Sequence, residues 1–74
     1  MELREIRTFL QIAQKQSFSK AAEALGYSQA AVTVQIKQLE EELGIHLFDR
    51  LGKKTVLTHH GEIFYHYAVT ILGT

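Results

Sequence analysis

The 74-residue sequence has no cysteine and no proline, and its eight Lys and Arg are cancelled by eight Asp and Glu. Without cysteine there is neither a disulfide framework nor a thiolate metal site to supplement the core. A chain of this length sits near the lower limit for independent folding. Without proline, the five glycines are the main helix terminators. No apolar run approaches the ~20 residues of a membrane span, and the first residues lack a signal-peptide profile. A reducing cytoplasm is the expected setting. The zero net charge does not resemble that of a basic nucleic-acid protein, but whole-chain charge speaks to solubility rather than to where charges lie.

What is present is 46% hydrophobic and 22% charged, ordinary for a folded domain. From Leu3 to about Gln16, Leu3, Ile6, Phe9, Leu10 and Ala13 share one side at helical spacing. In "SFSKAAEALG" either Ser17 or Ser19 suits an N-cap, and Gly26 ends a helix of barely two turns. Ser28 is placed to cap a third helix, whose Val32, Ile36, Leu39 and Leu43 form a single buried stripe ending at Gly44. In "HLFDRLGKKTVLT", apolar runs at Leu47 to Arg50 and Thr55 to Leu57 flank "LGKK" and predict a small hairpin. Thr58 suits the cap of a last helix from His59 to the end. A short helix, a tight turn and a longer helix make a helix-turn-helix. With the hairpin after it, the fold is mainly α, a winged helix-turn-helix of three helices and a β-hairpin wing, followed by a C-terminal helix.

The third helix is graded along its length. At about 100° per residue, turning its apolar stripe inward sends Ala30, Thr33, Val34 and Lys37 outward. Gln29 joins them in the first turn, where free backbone N–H groups favour phosphate. Such an end fits a major groove about 12 Å wide. Glu40, Glu41 and Glu42 lie at the other end, where they oppose the helix dipole and would point away from phosphates. A solvated acidic face on an alanine-favoured helix accounts for the same residues. The hairpin favours the DNA reading, because Arg50, Lys53 and Lys54 gather around its turn as a basic wing.

These residues resemble the N-terminal DNA-binding domain of LysR-type transcriptional regulators. The likeness runs over nearly the whole chain, through "SFSKAAEAL", "SQAAVTVQIKQLEEELG", "LFDR" and "LTHHG" in order. It implies a DNA-binding domain over 1–58, with the helix-turn-helix at about 18–37 and the wing at about 47–58. It implies that Gln29, Thr33 and their neighbours, Ser28 among them, meet base edges, while Arg50 and Lys53 meet phosphate or the minor groove. It also implies that 59–74 is a linker helix pairing two such domains, and that an effector-binding domain, the seat of any small-molecule inducer, is absent from this chain. Two residues depart from the family pattern: Ala30 stands where proline is usual, and Val34 where arginine is common. The expected partners are operator DNA and a second copy of the chain, in a bacterial cytoplasm, with no membrane and no cofactor.

The last helix supports dimerisation independently. Ile63, Phe64, Tyr67, Ala68, Ile71 and Leu72 cover more than half its circumference, beyond the stripe of about 100° that one core requires. A roof over a small core by Phe64, Tyr65 and Tyr67 is the simpler alternative. His59, Glu62 and His66 share one face and have metal-ligand chemistry. That face is also the helix's polar stripe, and no fourth ligand is evident, so no metal site is assigned. His60 suits a phosphate contact or a pH response. Ser17, Ser19 and Ser28 have capping roles, and no phosphate loop or paired-carboxylate cleft is present, so an enzyme is not expected. A protein-interaction module on the same fold is the alternative of a different class.

Overall fold

The computed structural model describes residues 1–73. In chain order it contains α1 (Leu3–Lys15), α2 (Phe18–Leu25), α3 (Gln29–Leu43), β1 (Phe48–Leu51), β2 (Lys54–Leu57) and α4 (His59–Leu72). Three caps set the helix starts. Ser17, rather than Ser19, accepts the Lys20 N–H at 3.1 Å. Ser28 accepts the Ala31 N–H at 3.1 Å, and Thr58 that of Gly61 at 2.9 Å. Each satisfies one of the backbone donors that a helix start leaves unpaired.

α1 packs against α2, α3, α4 and β2, and its burial follows from that. Ile6, Phe9, Leu10 and Ile12 are buried, whereas Leu3 is 59% exposed and Ala13 only half-buried. The expected stripe therefore shifts and widens. Leu3 stands in the first turn, at the outer end of the helix, while Ile12 is enclosed because neighbours surround the middle of α1. Two polar side chains are buried with them. Glu5 accepts the Glu2 N–H at 3.1 Å, and Thr8 donates to the Gln35 amide oxygen at 2.7 Å, so neither is left unpaired. Val32, Ile36 and Leu39 of α3 are buried as expected, and Leu43 packs at the core's edge.

The strands reach closer to the turn than the sequence pattern suggests: β1 is shifted by one residue and omits Leu47, and β2 begins one residue earlier. Phe48 pairs with Leu57 and Leu51 with Lys54, leaving Gly52 and Lys53 as a two-residue turn. Gly52 has φ +63° and Lys53 is not left-handed, as in a type II′ hairpin with glycine first. The wing is anchored from below: the Thr55 N–H donates to the Gln16 carbonyl at 3.1 Å. Gln16, the C-cap of α1, has φ 56° and is the single non-glycine with positive φ among the described residues.

α4 closes the core with Phe64 and Ala68 and crosses the segment before β1 so closely that a Cβ on Gly61 would collide with the Leu47 carbonyl. Gly61→Ala should therefore lower stability by about 1–3 kcal/mol through overpacking, outweighing the gain alanine brings to an ordinary helix. Urea unfolding at equilibrium measures this; an unchanged midpoint would mean that α4 is not seated on Leu47.

Candidate nucleic-acid interface

The outward side of α3 begins at its capped N-terminus. Ser28, Gln29, Ala30, Val34 and Lys37 are exposed and Thr33 is half-buried, so the inward stripe turns the expected residues outward. The Thr33 hydroxyl donates to the Gln29 carbonyl at 3.0 Å, which leaves its methyl and its oxygen lone pairs free. The first turn is thus a small surface with backbone N–H groups at its tip, suited to negative charge.

The wing stands beside this surface. A groove of about 320 Å³ runs between them, bordered by Thr33, Ile36 and Lys37 on α3 and by Phe48, Asp49 and Arg50 on β1. It brings the Lys37 and Arg50 cations to one opening. Lys53 and Lys54 lie outside the groove, at the turn and at the start of β2. Ala30 and Val34 border a separate shallow hollow toward α1. None of Lys37, Arg50, Lys53 and Lys54 enters an ion pair among the described residues. Two carboxylates, Asp49 and the half-buried Glu40, border the same groove, without an ion pair to these cations among the described residues.

The acidic end of α3 does not act as one unit. The half-buried Glu40 accepts the Leu47 N–H at 2.7 Å, with His46 Nδ1 at 3.9 Å, and so fastens the segment leading into the wing. Glu42 pairs with the N-terminal ammonium and raises its pKa above the usual range, chiefly through that hydrogen bond. Only Glu41 has no ion-pair or hydrogen-bond partner among the described residues. Two of the three acids have structural partners that sequence periodicity could not reveal, and Glu40 also borders the groove beside Lys37 and Arg50. His46, which also borders the groove, was likewise not assigned to this surface from sequence. Its one signal was its place just after the helix-ending Gly44.

On α4 the expected dimerisation residues divide. Phe64 and Ala68 are buried in the chain's own core and Leu72 packs against it. Ile63, Tyr67 and Ile71 remain 45%, 65% and 53% exposed in one line at intervals of four residues. Tyr65 belongs with the inner group, its ring centroid 6.4 Å from that of Phe9. Among the described residues no three His, Asp or Glu side chains are grouped to hold a metal ion, and no helix is long and apolar enough to cross a membrane.

Glu40→Ala should cost about 1.5–3 kcal/mol, as a charge-assisted bond to a part-buried N–H is lost, whereas Glu41→Ala should stay within about 0.5 kcal/mol. Paired urea titrations test the contrast; equal effects would deny Glu40 its fastening role.

Residues 3–62 match the family model described as bacterial regulatory helix-turn-helix protein, lysR family. The chain is 46% identical over 71 residues to a RuBisCO operon transcriptional regulator of Allochromatium vinosum, covering 96% of this chain and 24% of that protein. It is 50% identical over 73 residues to the regulator BudR of Klebsiella aerogenes, covering 99% of this chain and 51% of that protein. The chain thus spans a quarter to a half of the length of these relatives. The fold superimposes with a TM-score of 0.93 on the BenM DNA-binding domain in its complex with benA site 1 DNA. That pair is 44% identical, with 99% of this chain and 82% of the other covered; BenM comes from Acinetobacter baylyi. With four helices, a two-stranded wing and this match, the chain belongs to the lysR family of bacterial regulatory helix-turn-helix proteins and is a DNA-binding domain of that family, not an enzyme.

Proposed function

We propose that this chain docks on double-stranded operator DNA as one half of a dimeric transcriptional regulator in the bacterial cytoplasm. In this reading residues 1–58 form the DNA-binding unit and α4 (His59–Leu72), within 59–74, is the linker helix, Thr74 lying outside the described residues. The N-terminal end of α3 enters the major groove, where Gln29, Ala30, Thr33, Val34 and Lys37 form the reading face, with Ser28 beside them. Arg50, Lys53 and Lys54 hold phosphates or the adjacent minor groove. The observation that carries the reading is a small, exposed end of α3 beside a groove at which Lys37 of α3 and Arg50 of the wing meet, neither in an ion pair among the described residues. Base contacts specify and phosphate contacts position, and this reading gives the first role to α3 and the second to the wing.

A second copy is supported by the line of Ile63, Tyr67 and Ile71, which the chain's own core leaves exposed. A two-fold dimer through α4 sets two α3 helices on half-sites about one DNA turn apart, or a multiple of it.

Fluorescence anisotropy against a random-sequence duplex pool, at low and moderate salt, is the direct test. Binding should weaken with salt at a log–log slope of about −0.9 per phosphate contact. Salt-independent capture of a protein partner with no DNA affinity would favour the interaction-module alternative, for which the neutral overall charge speaks. On a selected site, Gln29→Ala should cost about 1–3 kcal/mol and relax preference at one position. Lys53→Ala should weaken all sequences alike and flatten the salt slope by about one phosphate per domain. Tyr67→Glu should sediment as a monomer with stability within about 0.5 kcal/mol of the parent, as expected for an exposed residue; an unchanged oligomeric state would remove α4 from the interface.

A further inference from the structure

Val34 presents methyl groups, and no hydrogen-bond donor, on the outward side of α3. Val34 is 53% exposed and lies one turn beyond Ala30, the two bordering a shallow hollow of about 400 Å³ shared with the start of α1. Some of the polar groups around it are engaged in part. The Thr33 hydroxyl proton is committed to the Gln29 carbonyl, the Gln35 oxygen accepts from Thr8, and Arg4 donates to Glu2 at 3.0 Å. Among the described residues the Gln35 amide N–H groups and the Gln38 amide have no hydrogen-bond partner and border the same hollow, Gln38 one turn past Val34, and the Gln29 amide stands at the helix start. These donors can serve neighbouring base positions, while Val34 offers none at its own. Guanine shows the major groove two acceptors, O6 and N7, and so requires a donor that Val34 lacks. Thymine shows a C5-methyl group beside O4. A β-branched side chain is stiff about χ1, so the Val34 methyls are held in place before any contact forms.

Resting on the groove docking of α3, we propose that Val34, with Ala30 beside it, reads the C5-methyl group of a pyrimidine, so that one base position in each half-site is selected by a methyl contact. Thymine supplies that methyl in unmodified DNA. 5-Methylcytosine supplies the same group, and the binding site therefore responds to cytosine methylation at that position.

The experiment begins with duplexes selected from a random pool by the chain itself. Each thymine of a selected duplex is replaced singly by deoxyuridine, which removes only the methyl group. One position per half-site should weaken about fourfold, the worth of one buried methyl-sized group. Val34→Ala should abolish the sensitivity at that position and leave the others unchanged. At the same position 5-methylcytosine should bind more tightly than cytosine to the parent chain, and equally to Val34→Ala. If every deoxyuridine effect persists in Val34→Ala, the methyl reading is overturned while DNA binding stands. A pool that yields no preferred sequence overturns the groove docking of α3, and the methyl reading with it.

Discussion

The fully buried Phe9 ring joins three elements that are distant in sequence. Its centroid lies 5.3 Å from that of Phe48 on β1 and 5.0 Å from that of Phe64 on α4. Phe48 in turn meets Phe18 of α2 at 5.6 Å. Aromatic pairs at these separations add to what their burial contributes, and in so small a core few other groups could replace them. The position of the wing relative to α3 depends on this cluster, because a two-stranded hairpin is not stable alone in water. The Gln16 carbonyl and the Glu40 carboxylate then fix the wing's height and its entry. Without that fastening Arg50 and Lys37 would not share one groove.

α3 serves two purposes in series. Its first two turns are small and exposed, free for a ligand, and its last two turns are structural. Glu40 illustrates why charge runs are poorly read from sequence. Its carboxylate resembles those of Glu41 and Glu42 on paper, yet it alone turns toward the backbone of the next segment. The cost of acids near a helix C-terminus is offset here by a backbone donor and an ammonium group. A chain with no net charge still presents cations on helix and wing that form no ion pair among the described residues, whereas Glu40 and Glu42 are already engaged.

Much of the fold was legible because its signals are local. Ser28 and Thr58 cap the helices their positions suggested, Gly26 and Gly44 end theirs, and Val32, Ile36 and Leu39 are buried at the expected spacing. The less legible features depended on neighbours. Leu3 is apolar and periodic but lies beyond the reach of the core, and Thr8 is polar but buried because Gln35 is there to receive its proton. The choice of Ser17 over Ser19 and the extension of both strands into "LGKK" were decided by backbone geometry at single residues.

The sequence alone determined the helix-turn-helix, the position of the wing and the outward residues of α3, since caps, glycines and a period of 3.6 act within one or two turns of chain. Tertiary structure alone decided which side of α4 is spent on the core, leaving Ile63, Tyr67 and Ile71 outside. It also decided that Lys37 and Arg50 face one groove, and that Gly61 must lack a side chain. These are facts about distances between segments far apart in sequence, and they are set only when the Phe9 cluster closes.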